Sequence, residues 1–254
     1  MKEVLFEQAK KWVLEAREEL ISKLNDDIIV ENKTSRKDLV TTMDRHIENF
    51  LKDKILTKYP EHSFFGEEGV YDIDFSGYVW ILDPIDGTTN FVKRKQDYAI
   101  SLGLYHAGVG ILGLVCDVER GVLYSALQGS GAYMNEKKIE KINDNESYED
   151  NIIVCDFKEL QTLTRLAPAI ENSLGHRRMG AACLEMIEVA TGRASIFLHM
   201  LLSPWDFAAA RVICEEAGCV VTRLDGTTIN PFEKGSLVVG SKTGHKNFIK
   251  DVTL

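Results

Sequence analysis

Between Trp80 and Phe91 the chain reads Trp-Ile-Leu-Asp-Pro-Ile-Asp-Gly-Thr-Thr-Asn-Phe, and no other run restricts its fold as strongly. The apolar start reads as a short strand. That strand delivers two carboxylates, Asp83 and Asp86, and a Gly-Thr-Thr turn follows whose backbone N–H groups can face a ligand. Leu82 and Ile85 imply partial burial. Two like charges partly withdrawn from water need a cation to offset them. A strand end, paired acids and an anion-accepting turn make a place for a divalent cation and a phosphate together. The run therefore points to phosphoryl chemistry.

The rest of the composition narrows the alternatives. The chain has 254 residues, 44% hydrophobic and 27% charged, enough for one large domain or two smaller ones. A net charge of -9 argues against non-specific nucleic-acid or anionic-membrane binding. The cysteines, Cys116, Cys155, Cys183, Cys214 and Cys219, show neither zinc spacing nor a disulfide framework. They read as reduced core residues of a cytoplasmic protein. The charged, helix-like N-terminal segment is not a signal peptide, and no apolar run approaches membrane-spanning length.

Apolar residues at helical spacing predict a helix from about Val4 to Leu24 and a second stripe from Ile47 to Leu56, with Pro60 beyond its end. Ile28–Val30 reads as a short strand and Glu31 to Asp38 as a polar loop. Strands are expected at Ser63–Phe65, Val79–Leu82, Ala99–Tyr105, Val109–Cys116 and Val122–Leu127, with a hairpin turn at His106-Ala107-Gly108. The polar stretch Glu136–Asp150 suggests a boundary between lobes 1–148 and 149–254. Beyond it, strands at Ile152–Cys155, Ala194–His199, Cys219–Arg223 and Ser236–Gly240 alternate with helices at Leu160–Asn172, Ala181–Thr191 and Phe207–Ala217.

Four acidic clusters stand at element junctions: Asp44, Glu67-Glu68, Asp83 with Asp86, and Asp206. Alone, Asp206 also reads as a helix cap, Glu67-Glu68 as turn residues and Asp44 as a surface residue early in a helix. Together they suit Mg²⁺, a hard cation that takes oxygen ligands. Two such ions can clamp an in-line displacement and acidify water, so no Cys or His nucleophile is needed.

These residues carry a resemblance. Gly66-Glu67-Glu68, Asp83 through Phe91, and Trp205-Asp206-Phe207-Ala208-Ala209 occur here in the order found in the inositol monophosphatase family. Leu39 through Asp44 and Arg177 through Ala182 also match. The resemblance implies a layered αβαβα sandwich of α/β (α+β) class, shared with fructose-1,6-bisphosphatase, and lithium-sensitive, Mg²⁺-dependent hydrolysis of small phosphate monoesters by a homodimer. Residue by residue, it implies Glu67, Asp83, Asp86, Asp206 and the Ile85 carbonyl as ligands to two or three Mg²⁺ ions, and Asp44, Thr88 and Glu67 as catalytic. It implies phosphate or substrate contacts at Gly87, Thr88, Ala182, His199 and Asp206, and a third-metal loop at Lys33, where Arg36 and Lys37 are neighbours.

Three positions depart from the family pattern. His199 stands where inositol-selective members carry a glutamate that binds inositol hydroxyls, and imidazole cannot replace a bidentate acceptor. His199 also reads as a packed strand residue. Ala181 replaces a common serine, and Ala210 stands where the Trp-Asp motif often continues to Gly. The expected substrate is inositol-1-phosphate, with NADP 2′-phosphate, fructose-1,6-bisphosphate, 3′-phosphoadenosine phosphates and histidinol phosphate as runners-up. An RNA- or protein-binding module on the same fold is the alternative outside enzymes; the acidic balance argues against it.

Overall fold

A computed structural model describes residues 2–24, 29–32, 39–69 and 73–253. Lys33 and its neighbours Arg36 and Lys37 lie outside the described residues, as does Ile28 of the expected strand Ile28–Val30.

The chain opens with helix α1 (Lys2–Ser22), whose Phe6, Ala9, Trp12, Val13, Ala16 and Leu20 are buried on one face. Strands β1 (Val30–Asn32) and β2 (Leu39–Thr41) form a small antiparallel pair. Helix α2 (Thr42–Lys58) follows at once, capped by Thr41 in a reciprocal box with Asp44.

A seven-stranded mixed sheet then forms in the order β3 (Ser63–Gly66), β4 (Tyr78–Asp86), β5 (Ala99–His106), β6 (Val109–Asp117), β7 (Val122–Leu127), β8 (Gly131–Met134) and β9 (Lys137–Lys138). Only the β3–β4 pair in it is parallel. Helix α3 (Thr88–Lys93) interrupts the run between β4 and β5.

The second, five-stranded sheet has the order β11 (Gly175–Arg177), β10 (Ile152–Cys155), β12 (Ile196–Leu202), β14 (Gly235–Gly240), β13 (Val220–Thr222). Its helices are α4 (Phe157–Thr162), α5 (Leu166–Asn172), α6 (Ala182–Ala190), α7 (Pro204–Glu216) and α8 (Lys242–Thr253).

Three cores define the layers. Helices α1 and α2 pack on one face of the large sheet through Trp12, Leu20, Ile47, Leu51, Trp80 and Leu102. Helices α6 and α7 fill the space between the sheets, where Ile81, Val115, Met186, Phe207, Phe197 and Val239 share one cluster. Helices α5 and α8 cover the outer face of the small sheet through Leu166, Leu198 and Phe248. This is the αβαβα sandwich expected above. The polar stretch 136–150 runs from the last strand of the large sheet to the first of the small one.

The central contact is close. A methyl group at Gly113 of β6 would lie 2.1 Å from the Ala209 carbonyl oxygen, so the absence of a side chain there lets α7 rest directly on the sheet. That contact fixes the helix carrying Asp206.

Several elements differ from the sequence reading. Strand β4 continues past Leu82 to Asp86 although it contains Pro84. Its ladder with β5 shifts register between Asp83 and Asp86, so the proline falls in a bulge where no ladder donor is needed. The expected helix Leu160–Asn172 is split into α4 and α5. Pro168 has no N–H and would clash inside a continuous helix, and the restart at Leu166 places it in a first turn. The Gly-Thr-Thr turn is the start of α3, too short for periodicity to reveal. The polar stretch holds β9, and α8 has so few apolar residues that its stripe escapes notice, although Phe248 and Val252 are buried.

Candidate active site

The bulge in β4 sets the geometry. Asp83 and Asp86 are both buried, and the Asp83 Oδ1 accepts the Ile85 N–H at 3.0 Å. Asp86 reaches across to the first turn of α6, accepting the Ala182 N–H at 3.1 Å and the Cys183 N–H at 2.6 Å. A carboxylate from the large sheet thus caps a helix of the middle layer. Gly87 then turns the chain at φ 90°, a left-handed conformation that costs glycine nothing, and opens α3.

Asp44 and Asp206 occupy equivalent places on different helices. Each is the third residue of its helix, and each carboxylate accepts the backbone N–H of its own cap residue: Asp44 from Thr41 at 2.8 Å, Asp206 from Ser203 at 2.7 Å. The cap reading of Asp206 is therefore half right, since Ser203 is the cap and Asp206 its partner. Both acids are held rigidly with one oxygen anchored.

Thr88, on the first turn of α3, places its hydroxyl 3.1 Å from Asp44 Oδ1 and 3.1 Å from the Ile85 carbonyl. Glu67 follows β3, and the neighbouring Glu68 N–H donates to the buried Glu48 of α2 at 2.9 Å. Glu48, not among the acids singled out in the sequence, therefore fixes the turn that carries Glu67.

Burial and mutual repulsion act on these acids together. Burial raises the Asp83 carboxyl well above the usual range, and the charges of Glu67, Asp86, Asp206 and Asp44 raise it further. Burial raises Asp206 in the same way, with Asp86 and Glu67 adding to it. Asp86 is pushed to about 6 by burial, against the pull of its bonds from Cys183 and Ala182. Asp44 is also raised, chiefly by burial and opposed by its bonds from Thr41.

Such a cluster is neutralised by protons or by a bound cation. Its donors are all oxygens, the set that hard divalent ions prefer. Among the described residues, no three Asp, Glu, His or Cys side chains are already drawn together as a finished metal cage. Asp83 and Asp206 each give one oxygen to a backbone N–H, and Asp86 gives both. The donor chemistry of these residues fits Mg²⁺.

The loop before α6 closes the site on its other flank. Asn90 of α3 donates to the carbonyls of Asp97 and Met179, both at 2.8 Å. Glu185 accepts the N–H groups of Met179 and Gly180, and burial pushes its carboxyl up to about 7. Neither Asn90 nor Glu185 stood out in the sequence as more than a motif or helix residue. Ala182, expected to contact substrate, has its N–H committed to Asp86. Ala181 is fully buried just before α6 and Ala210 within α7. The structure brings Asp44, Glu67, Asp83, Asp86, Thr88 and Asp206 together. His199 instead neighbours Glu159, Asp156 and Arg178.

Residues 1–253 match the family model described as the inositol monophosphatase family. The chain belongs to this family. It is a phosphoric monoester hydrolase. It is 37% identical over 252 residues to an inositol-1-monophosphatase of Bacillus subtilis, covering 96% of this chain and 95% of the relative. It is 36% identical over 208 residues to a putative Nus factor SuhB of Neisseria meningitidis, covering 80% of each. A solved IMPase/NADP phosphatase complexed with Mg²⁺ and phosphate superimposes with a TM-score of 0.92 at 29% identity, covering 99% of this chain and 96% of that one.

Among the described residues, no helix is long and apolar enough to cross a membrane.

Proposed function

We propose that this family member hydrolyses small phosphate monoesters with Mg²⁺, inositol-1-phosphate among them, through the acids around the end of β4. The observation that carries this reading is the mutual repulsion of Asp83 with Asp44, Glu67, Asp86 and Asp206, three of these acids (Asp44, Asp83 and Asp86) being buried, beside the turn at Gly87 and Thr88. The Mg²⁺-and-phosphate complex of the similar structure supports the choice of ion.

The carboxylates of Glu67, Asp83, Asp86 and Asp206 and the Ile85 carbonyl would hold two or three Mg²⁺ ions. Bound there, Mg²⁺ supplies charge neutralisation and acidifies water. The chain's own residues do the rest. The N–H groups of Gly87 and Thr88 receive the phosphate at the start of α3. The Thr88 hydroxyl has one hydrogen, and when it points to Asp44 Oδ1 the lone pairs of Oγ1 accept from a water. Asp44, its other oxygen locked by Thr41, then draws the water's proton toward itself through Thr88 while Glu67 orients the same water. Asp206 and His199 border the organic part of the ester.

A second activity, removal of the 2′-phosphate of NADP, is favoured by the imidazole at His199 and by the named activity of the similar solved structure. A fructose-1,6-bisphosphatase-like activity belongs to the same reading. Lithium sensitivity and a homodimer follow from the resemblance in the same way. The Nus-factor relative raises a regulatory role, against which the net charge of -9 counts. Phosphate release from inositol-1-phosphate, NADP and fructose-1,6-bisphosphate at fixed Mg²⁺ tests the proposal. Turnover of at least one, abolished by chelation, is expected; saturable RNA binding without turnover would reverse it.

A further inference from the structure

Two phenylalanines join the loops of the two sheets. Phe75 comes from the segment between β3 and β4, and Phe232 from the segment between β13 and β14. Their ring centres lie 4.5 Å apart, with the planes at 43°. Each ring is presented by a turn of the same kind. Asp74 Oδ1 accepts the Ser76 N–H at 2.9 Å, and the Asp74 N–H donates to Ser63 Oγ of β3 at 3.0 Å. Asn230 Oδ1 accepts the Phe232 N–H at 3.1 Å, and Arg223 donates to the carbonyls of Glu233 at 2.8 Å and Ser236 at 3.0 Å. Side-chain turns of this kind fix a backbone that no strand or helix holds.

Behind this contact the rings run inward to the acids. Phe75 meets Phe65 of β3 edge-on, with centres 6.1 Å apart and planes at 75°. Phe65 meets Trp205 of α7 at 5.4 Å and 89°. Phe65 stands two residues before Glu67, and Trp205 immediately before Asp206. On the other side Phe232 meets Tyr105 of β5 at 6.2 Å, and the Tyr105 hydroxyl donates to the Ala208 carbonyl of α7 at 2.9 Å. Edge-to-face pairs have preferred geometry, so a chain of them carries position as well as buried area.

The two acids come from different layers. Glu67 follows a strand of the large sheet, and Asp206 lies in the first turn of a helix between the sheets. Their charges oppose each other, and like charges push apart when no cation lies between them. The bond from Ser203 fixes Asp206 within its own helix, and the bond from the Glu68 N–H to Glu48 fixes the Glu67 turn to α2. Neither bond spans from one acid's segment to the other. The contact of Phe65 with Trp205 does, and Phe75 backs it from the loop side.

We propose that the Phe75–Phe232 contact is a brace for metal binding: it holds Phe65 against Trp205 and so keeps the segments of Glu67 and Asp206 together before an ion binds. Both phenylalanines are positioning residues that act through those acids on the affinity for Mg²⁺. Ordering the carboxylates during folding removes that cost from ion binding, as preorganisation does at any site. The inference rests on the Mg²⁺ reading above and adds the residues that prepare its site.

Isothermal titration calorimetry with Mg²⁺ alone tests it, alongside melting temperatures taken without metal. Phe75→Ala and Phe232→Ala should each weaken Mg²⁺ binding about three- to tenfold, the contribution of an aromatic pair. The double variant should bind no more weakly than the worse single one, because each substitution already breaks the contact. Phe75→Tyr, which keeps the ring, should bind as wild type does. Phosphate release lost by the alanine variants at low Mg²⁺ should recover as Mg²⁺ is raised. Alanine variants that melt lower without metal yet bind Mg²⁺ with wild-type affinity would reduce the contact to ordinary packing and overturn the proposal. Losses that multiply in the double variant would overturn it too, since the two rings would then act apart. Phe75 is 42% exposed, so its truncation opens no buried cavity, and if Phe232→Ala does not fold, Phe75→Ala against Phe75→Tyr decides. Wild-type protein that takes up no Mg²⁺ would defeat the metal reading and the brace with it; unchanged affinity in the variants of a Mg²⁺-binding wild type would defeat the brace alone.

Discussion

The Thr88 hydroxyl lies 3.1 Å from Asp44 Oδ1, joining α3 of the β4 turn to the first turn of α2 across 44 positions of sequence. Asp44 Oδ2 is already taken by Thr41, so Oδ1 has Thr88 as its partner and little freedom to turn elsewhere. Removing the hydroxyl breaks the link between the acid and the water. Thr88→Val should lower kcat by about 10²–10³ with KM nearly unchanged, while Thr88→Ser should retain most activity. Steady-state phosphate release decides between these outcomes.

The acid cluster makes stability depend on pH and on metal. For Asp86 the folded value, about 6, stands above the ordinary value of 3.8. The folded state therefore binds more protons than the unfolded one between those values. This contribution to stability is present below pH 3.8 and is lost as pH rises through 6. Above that range the metal-free protein carries the Asp86 charge among its neighbouring acids. Mg²⁺ should raise its melting temperature at pH 7.5 and do so less at pH 5, where protons compete. Differential scanning fluorimetry with and without Mg²⁺ at both pH values checks this.

The buried His245 works in the opposite sense. It bonds Thr222 Oγ1 at 2.9 Å, and burial lowers its imidazole from 6.5 to about 4. The unfolded chain takes up the proton first, so the stability this group contributes is present above pH 6.5 and is lost as pH falls toward 4. His245→Gln should flatten that part of the unfolding profile. Urea midpoints measured from pH 7 to 4.5 would expose an unflattened curve.

Helix α7 rests on β6 without room for a methyl group at Gly113. Gly113→Ala must push the helix, and Asp206 with it, away from the sheet. A loss of about 2–4 kcal/mol of stability is expected, with kcat reduced in whatever protein remains folded. Chemical denaturation and single-turnover rates measure the two effects separately.

The sequence showed the chemistry more readily than the scaffold that aims it. Asp83, Asp86 and Gly87 were legible because an apolar strand, two acids and a turn follow one another within a few residues. Asp44 and Asp206 were legible as acids at helix starts, but their shared place as the third residue of a capping box depends on Thr41 and Ser203 adopting cap geometry. Helix α3 has six residues, fewer than two turns, so its periodicity carried no signal. Glu48, Asn90 and Glu185 escaped because their partners lie far away in sequence; Asn90 reaches Met179 across 89 positions. Phe75 and Phe232 escaped for the same reason: one precedes β4 and the other β14, and no local pattern encodes their contact.

If the acids around β4 hold Mg²⁺ for phosphate-ester hydrolysis, Asp83, whose charge feels Glu67, Asp86, Asp206 and Asp44, is the one the site can least lose. Asp83→Asn removes one charge and keeps the shape. Phosphate release from inositol-1-phosphate or NADP at saturating Mg²⁺, measured alongside the melting temperature, tests the claim most directly. The variant should be folded, at least as stable as wild type in the absence of metal, and slower in turnover by about 10³ or more. Metal-dependent turnover by Asp83→Asn near the wild-type rate would contradict it.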